Sequence, residues 1–195
     1  MLGPMVNLNR ITTRSGDHGT TGLSDGTRVA KDHPLINAIG AVDEANSLLG
    51  VVRLEALPAT VATVLPAVQN DLFDLGGDLA TPPGGQWEDK IPRITATQVA
   101  RLERWAEAAN ADLAPLTSFI LPGGSRSSAW LHLARTVVRR AERDLVAAQQ
   151  ADARRAWNPA CLHYLNRLSD LCFIWARVAN DGGRADVLWV PGQGR

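Results

Sequence analysis

The sequence predicts an all-α fold: a five-helix bundle of the ferritin-like, up-and-down type, preceded by an irregular glycine-rich N-terminal loop. Clusters of proline and glycine separate five helical segments, and no stretch alternates apolar and polar residues clearly enough to predict a strand. The clearest sign of a bundle is an apolar series spaced alternately four and three residues apart, formed by Val61, Leu65, Val68, Leu72, Leu75 and Leu79.

Helix start signals divide the chain. Pro34 occupies a favoured first-turn position, and Thr95, Ser125 and Asn158 are good N-cap residues. Pro66 lies inside the second apolar series, so we expect a kink or a later start of that helix. The predicted helices span approximately residues 34–57, 58–80, 95–112, 126–151 and 158–180.

Length and composition indicate a single domain over residues 1–195, with a loop segment over residues 1–32 and a loose tail over residues 181–195. The 20 basic and 20 acidic residues balance, so no overall field favours nucleic acid or an anionic membrane as a partner. The N-terminus lacks the pattern of a signal peptide, and no run of about 18 apolar residues predicts a membrane span. We therefore expect a cytoplasmic protein.

The central feature of the sequence is the fourth predicted helix. At ~100° per residue, Arg135, Arg139, Glu142 and Arg143 fall within about a third of its circumference. An apolar face lies beside them, so the helix can bury itself and hold an anion with its arginines. A charge run is also typical of a solvated helix face, and that interpretation stays open.

The N-terminal loop is also suited to an anion. Its glycines let successive backbone N–H groups converge into a nest, and hydroxyl and cationic side chains surround them. The residues concerned are Arg14, Gly16, Gly19, Thr20, Thr21, Gly22 and Lys31. The alternative is a flexible, solvent-facing N-terminus. The four histidines are scattered without metal-ligand spacing, so we predict no directly bound metal.

Several sequence blocks follow one another between about residues 12 and 180. They are Thr13-Arg14-Ser15-Gly16-Asp17-His18-Gly19-Thr20-Thr21, Arg28-Val29-x-Lys31-Asp32, Gly40-Ala41-Val42-Asp43-Glu44-Ala45-Asn46-Ser47, Asp78-Leu79-Ala80-Thr81, Phe119-Ile120-Leu121-Pro122-Gly123-Gly124, Leu131-His132-x-Ala134-Arg135-Thr136, Arg139-Arg140-Ala141-Glu142-Arg143 and Asn166-Arg167-Leu168-Ser169-Asp170. In this joint order they resemble the signature of the PduO-type ATP:cob(I)alamin (corrinoid) adenosyltransferase family.

The resemblance implies a homotrimer with active sites between neighbouring subunits. It implies transfer of the 5′-deoxyadenosyl group of ATP to the cobalt of cob(I)alamin, with release of triphosphate. Cobalt(I) is then the nucleophile, which agrees with the absence of a triad or a reactive cysteine from the sequence. The implied reactants are ATP, Mg²⁺ on its phosphates and cob(I)alamin. A reductase and a cobalamin-dependent mutase are the implied protein partners.

The resemblance also implies roles for individual residues. Residues 1–32 become a nucleotide-binding loop segment. Arg139 and Glu142 match catalytic ATP contacts, the arginine for leaving-group charge and the glutamate for nucleotide or Mg²⁺-water placement. The further matches to ATP contacts are Thr13, Arg14, Ser15, Gly16, Gly19, Thr21, Lys31 and Asn166.

At the corrinoid, the resemblance assigns three residues. Asp43 and Arg135 match an ion pair that joins two subunits at the site and serves both catalysis and cobalamin binding. Phe119 matches the aromatic residue that displaces the lower axial ligand and leaves cobalt four-coordinate, which lowers the cost of reaching cobalt(I). The alternative for Phe119 is an ordinary core aromatic. Arg140 and Arg143 stay unassigned.

Two rival functions differ in class from an enzyme. The first is a non-catalytic bundle that binds a nucleotide or a corrinoid and delivers it to a partner. The second is a purely structural bundle, which leaves the glycine loop and the arginine stripe unexplained together. Conversion of reduced cobalamin by the protein would exclude both.

Overall fold

The computed structural model describes residues 12–85 and 87–194, so the first 11 residues of the predicted loop segment and residue 195 lie outside the described residues. Within these ranges, five long helices and one short helix follow a two-stranded antiparallel sheet. The elements are β1 (Thr20–Gly22), β2 (Arg28–Ala30), α1 (Pro34–Val52), α2 (Ala59–Ala62), α3 (Leu65–Ala80), α4 (Ala96–Asn110), α5 (Arg126–Ala151) and α6 (Pro159–Val178). The predicted all-α class and five-helix bundle are confirmed.

The helix starts that the sequence predicts from capping chemistry agree with the structure. Ser125 Oγ accepts the Ser128 N–H at 3.1 Å at the start of α5, and Asn158 Oδ1 accepts the Ala160 N–H at 3.0 Å at the start of α6. These side chains satisfy backbone donors that lack a partner within the helix. The start of each helix is therefore encoded locally.

Two predicted helix boundaries are wrong. α1 ends at Val52 instead of near residue 57, and Leu54 beyond it is 83% exposed. The second predicted helix is divided into α2 and α3. Pro66 lies in the first turn of α3, where a backbone N–H would have no hydrogen-bond partner within the helix. Of the two effects expected of Pro66, a kink or a later start, the later start is therefore correct.

Contacts at the helix ends give the up-and-down order. Glu55, just after α1, pairs with Arg126 at the start of α5. Asn158, at the start of α6, bonds to Asp78 near the end of α3 and to the Ile94 carbonyl just before α4. α1, α4 and α6 therefore run in one direction and α3 and α5 in the other. We call the end at Arg126 the upper end and the end at Asn158 the lower end.

The helix α1 lies in the core. By length and composition it is the one helix within the described residues that could cross a membrane, unlike the sequence-based expectation of no such run. It packs against both α3 and α5, and its Ala38, Ala45, Leu49 and Val52 side chains are fully buried. Packing inside the bundle accounts for its apolar composition.

Asp78, from one of the sequence blocks, forms a buried junction at the lower end. Its Oδ1 accepts Arg93 Nη1 at 2.8 Å, and its Oδ2 accepts the Ile94 N–H at 2.9 Å and Asn158 Nδ2 at 2.7 Å. These donors compensate for the loss of water around a carboxylate that is only 3% exposed. The block therefore fastens α3, α6 and the long loop before α4 to one another.

The expectation of no strand is wrong at the N-terminus. β1 and β2 form a hairpin in which Thr21 lies opposite Val29 and Gly22 lies opposite Arg28. Each strand has three residues, too few for an alternating pattern to be visible in the sequence. Gly26, with φ +86°, provides the left-handed residue of the turn between them.

The prediction of a loose tail is wrong for most of the segment after α6. The side chain of Asp186 is 3% exposed and accepts Arg177 Nε at 2.9 Å. Beyond it, residues 187–189 pair antiparallel with residues 119–121. This pairing joins segments about 70 residues apart, so no local sequence signal announces it.

Candidate active site

The loop before β1 brings a cation beside an open glycine backbone. The Asp17 N–H donates to Arg14 O at 3.3 Å, and the Gly19 N–H donates to Gly16 O at 3.2 Å. Arg14 and Gly19 adopt left-handed φ values of +59° and +75°. A Cβ built on Gly16 would lie 2.9 Å from Lys31 Nζ. The fold thus places the Lys31 ammonium group against the loop.

Three further residues predicted to bind ATP lie around the same loop. The hydroxyls of Thr13 and Ser15 are 2.9 Å apart on its exposed surface. Thr21 lies in β1, opposite Val29, and is half-buried. The loop therefore gathers the predicted N-terminal residues on one hairpin.

Arg28, on β2, contacts this loop, and the sequence assigns it no role. Its Nη2 donates to Ser15 O at 2.6 Å, to Thr20 O at 3.1 Å and to Thr20 Oγ1 at 2.8 Å. Its Nε donates to the same Thr20 hydroxyl at 3.1 Å. One guanidinium therefore fixes the loop to the strand that follows it.

A second candidate surface lies between α5 and α6. Glu142 Oε1 accepts Asn166 Nδ2 at 2.9 Å, and Asn166 Oδ1 accepts Arg167 Nη1 at 2.6 Å. The fold thus brings the predicted pair Glu142 and Asn166 into contact. Beside them is a groove of about 190 Å³ lined by Arg135, Arg139, Ser169, Asp170, Phe173 and Ile174.

Two further arginines of α5 face differently, although the helical spacing predicts Arg143 on the same side as Arg135 and Arg139. Arg140 pairs with Glu44 of α1, and Arg143 Nη1 donates to Arg139 O at 3.1 Å. Both line a separate groove between α1 and α5. The solvated or structural interpretation therefore fits Arg140 and Arg143 better than it fits Arg139.

Asp43 and Arg135 form no ion pair within the described part of the chain. Asp43 is exposed on α1 and lines an apolar groove of about 350 Å³ between α1 and α3, beside Phe73. Arg135 lies in the α5–α6 groove, and its buried Nε has no hydrogen-bond partner among the described residues. The two residues thus lie on separate surfaces of one chain.

His132 lies one turn from Arg135 in an apolar environment. Its side chain is 3% exposed, and neither ring nitrogen makes a hydrogen bond to a described residue. Its ring meets the edge of Phe173 at 6.1 Å between centroids. Burial, and then the charge of Arg135, lower the pKa of His132, while Asp186 acts in the opposite direction. The neutral imidazole is therefore the form that the fold favours.

This lowered pKa predicts a loss of stability in mild acid. Because the folded-state pKa is below the ordinary value of 6.5, the unfolded chain binds more protons between the two values. The free energy of unfolding should therefore fall as the pH drops through about 6.5. Chemical denaturation at a series of pH values measures this slope. His132→Leu should flatten it, and parallel slopes for the two proteins would contradict the assignment.

Phe119 is not a core residue. Its side chain is 78% exposed at the upper end, and its nearest aromatic neighbour is Trp189, with ring centroids 6.1 Å apart. The Trp189 N–H donates to Phe119 O at 2.7 Å, which holds the two rings together. An exposed pair of large aromatic rings is typical of a ligand or partner surface.

Comparison with known proteins decides the family. The model of the family described as cobalamin adenosyltransferase matches residues 11–179. The chain belongs to the cobalamin adenosyltransferase family. It is 51% identical to a corrinoid adenosyltransferase of Mycobacterium tuberculosis over 191 residues, which cover 97% of each chain. It is also 51% identical to a cobalamin adenosyltransferase of Cupriavidus metallidurans over 184 residues, which cover 93% of this chain and 95% of the relative.

Solved structures of the adenosyltransferase family have the same fold. A variant of the PduO-type ATP:corrinoid adenosyltransferase from Lactobacillus reuteri, complexed with cobalamin and ATP, superposes with a TM-score of 0.83 at 32% identity. The match covers 93% of this chain and 97% of that one. The family resemblance carried by the sequence blocks is thereby confirmed.

In this member of the cobalamin adenosyltransferase family, the residues predicted to bind ATP form two groups, the N-terminal loop and the α5–α6 groove, and Asp43 and Phe119 lie apart from both. Between residues 13–32 and the helices α5 and α6, the described part of the chain has no hydrogen bond or ion pair. Within the same described ranges, no three His, Cys, Asp or Glu side chains come close enough to hold a metal ion. Arg28 and Trp189 were missed because their contacts depend on strand pairing, for which the sequence gives no clear pattern.

Proposed function

We propose that this protein transfers the 5′-deoxyadenosyl group of ATP to the cobalt of cob(I)alamin and releases triphosphate. The observation that supports this most strongly is the α5–α6 groove, where Arg139 is exposed beside the bonded pair Glu142 and Asn166, in a chain of the cobalamin adenosyltransferase family. Cobalt(I) supplies both electrons of the new Co–C5′ bond. The C5′–O bond breaks, and its electron pair leaves with the triphosphate. The protein's task is to position both reactants and stabilise the leaving anion.

The phosphate end of ATP is held from two sides. Thr13, Arg14, Ser15 and their neighbours Gly16, Gly19, Thr21 and Lys31 surround the triphosphate, with Mg²⁺ on its oxygens. Arg139 meets the charge that develops on the leaving oxygen, and Glu142 and Asn166 position the nucleotide. In support of this proposal, the Glu142–Asn166 bond leaves the Asn166 carbonyl held by Arg167, so the amide has one fixed orientation.

The site is completed by a second copy of the chain. Asp43 and Arg135 lie on different surfaces, so an ion pair between them must join two subunits, and contacts between unlike surfaces form a ring when the rotation between subunits closes. We propose a homotrimer with one site at each junction. In support, the Asp43 groove is apolar, and its Phe73 side chain is 72% exposed, a surface that a neighbouring subunit would cover. The pair also serves cobalamin binding.

The corrinoid end of the site includes Phe119. Its exposed ring, held beside Trp189, is free to press on the lower face of the corrin and displace the axial ligand. Cobalt(I) prefers no axial ligand, so this displacement eases reduction by a separate reductase. The product is available to a cobalamin-dependent mutase, and the setting we propose is the cytoplasm.

Phe119→Ala should impair the adenosylation of cobalamin more than that of a corrinoid that lacks the lower base. Alanine leaves no ring to displace the base, whereas the baseless corrinoid has nothing to displace. We expect kcat/KM for cobalamin to fall about tenfold further than that for the baseless corrinoid. Leu54→Ala, at another exposed apolar side chain, is the control. Equal losses with both corrinoids would mean that Phe119 only packs.

The proposed activity is tested by incubating the protein with Mg-ATP and chemically reduced cobalamin without oxygen. Conversion of the cobalamin spectrum to that of the adenosylated form, with stoichiometric triphosphate, is the expected result. Thermal stabilisation by ATP without conversion would favour the nucleotide-delivering bundle, because a ligand that binds the native state raises its stability. Neither conversion nor stabilisation would favour the structural bundle.

A further inference from the structure

We propose that Arg28 is a positioning residue that orients the peptide units of the N-terminal loop toward the polyphosphate of ATP. This inference rests on the proposed function and adds a determinant of ATP affinity to it. Arg28 is on β2, opposite Gly22, and reaches across the hairpin to the loop before β1. Its role follows from the carbonyl oxygens to which it donates hydrogen bonds.

Five carbonyl oxygens between Arg14 and Thr20 accept hydrogen bonds from within the hairpin. Backbone N–H groups occupy three of them: Asp17 donates to Arg14 O, Gly19 donates to Gly16 O and Lys31 donates to Gly19 O at 2.9 Å. Arg28 occupies two others, Ser15 O at 2.6 Å and Thr20 O at 3.1 Å. An unpaired carbonyl oxygen facing a polyphosphate would repel it, so engaging these five oxygens favours the approach of an anion.

The bond to Ser15 O also fixes a donor. The C=O and N–H of one trans peptide point in opposite directions, so turning Ser15 O toward Arg28 turns the Gly16 N–H away from it. Within the described residues, this N–H makes no hydrogen bond. The side chain of Lys31 lies against the same glycine. An anion at Gly16 would therefore meet a backbone donor and an ammonium group together.

The geometry distinguishes this role from that of a point charge. Nη2 and Nε of a single planar guanidinium reach Ser15 O and both oxygens of Thr20 at once. A lysine ammonium on a flexible stem cannot reproduce this fork, although it keeps the charge. Arg28 is exposed, so its removal should leave the bundle folded.

The test compares steady-state adenosylation by Arg28→Ala, Arg28→Lys and Arg104→Ala. Arg104 is an exposed arginine on α4 and controls for the loss of one surface charge. We expect both Arg28 variants to raise KM for ATP about tenfold, with KM for cob(I)alamin changed by less than about twofold. Inorganic tripolyphosphate, measured by calorimetry without corrinoid, should lose affinity to the same degree. Arg104→Ala should match the wild type.

Thr20→Val gives a second route to the same conclusion, because it removes the hydroxyl that accepts two of the Arg28 bonds and keeps every charge. Its effect combined with Arg28→Ala should be less than additive, since both break one set of contacts. An unchanged KM for ATP in Arg28→Ala, or full rescue by Arg28→Lys, would overturn the positioning role. Absence of turnover in the wild type would instead overturn the proposed function.

Discussion

Arg139→Ala is expected to lower kcat by about two orders of magnitude or more, because in the proposed reaction it removes a cationic donor from the oxygen on which charge develops. Arg139 is exposed in the α5–α6 groove, and in the described residues its side chain has no ion-pair partner to neutralise it. Its charge is therefore available to a ligand. The measurement is the rate of formation of the adenosylated corrinoid at saturating ATP and cob(I)alamin.

The matched control for Arg139 is Arg143→Ala on the same helix. Arg143 is also an exposed arginine, but it lines the α1–α5 groove, away from Glu142 and Asn166. The decrease in kcat of Arg143→Ala should be much smaller than that of Arg139→Ala. Arg139→Lys should recover part of kcat, because it restores the charge without the fork. Near-normal turnover of Arg139→Ala would remove Arg139 from the mechanism.

The residues that sequence reasoning placed correctly are those whose geometry is local. Ser125 and Asn158 cap the helices that they were predicted to start, and the spacing along α5 puts Arg135 and Arg139 into one groove. Helical periodicity fixes such relations without knowledge of the rest of the fold. The pattern could not fix where α1 ends, because its end depends on which residues the neighbouring helices can cover.

The features that were missed depend on contacts between distant segments. The tail after α6 pairs with residues 119–121, and this pairing puts Trp189 beside Phe119. Arg28 reaches Ser15 only because the register of a short hairpin brings it there. Neither contact follows from local propensity, so tertiary structure is needed to find it.

The separation of the candidate ATP-binding residues into two groups leads to the last prediction. Lys31 belongs to the N-terminal loop and Arg139 to the α5–α6 groove, and the described residues contain no direct bond between these regions. Lys31→Glu, which places a carboxylate at the phosphates, and Arg139→Ala should each be nearly inactive. If every site takes its loop from one subunit and its groove from the next, a mixed trimer of the two variants should regain activity.

The activity expected of the mixed trimer follows from the number of intact junctions in the ring. In a cyclic trimer containing both variants, one junction of the three joins the intact loop of an Arg139→Ala subunit to the intact groove of a Lys31→Glu subunit. Trimers co-expressed with two affinity tags, and purified on both, should therefore show about a third of wild-type turnover per trimer. The control pairs Lys31→Glu with Lys31→Ala, and it should stay at the level of those variants alone because no loop is intact. A site built within one subunit would leave the first mixture inactive as well, so its activity decides whether the two groups meet across a subunit boundary.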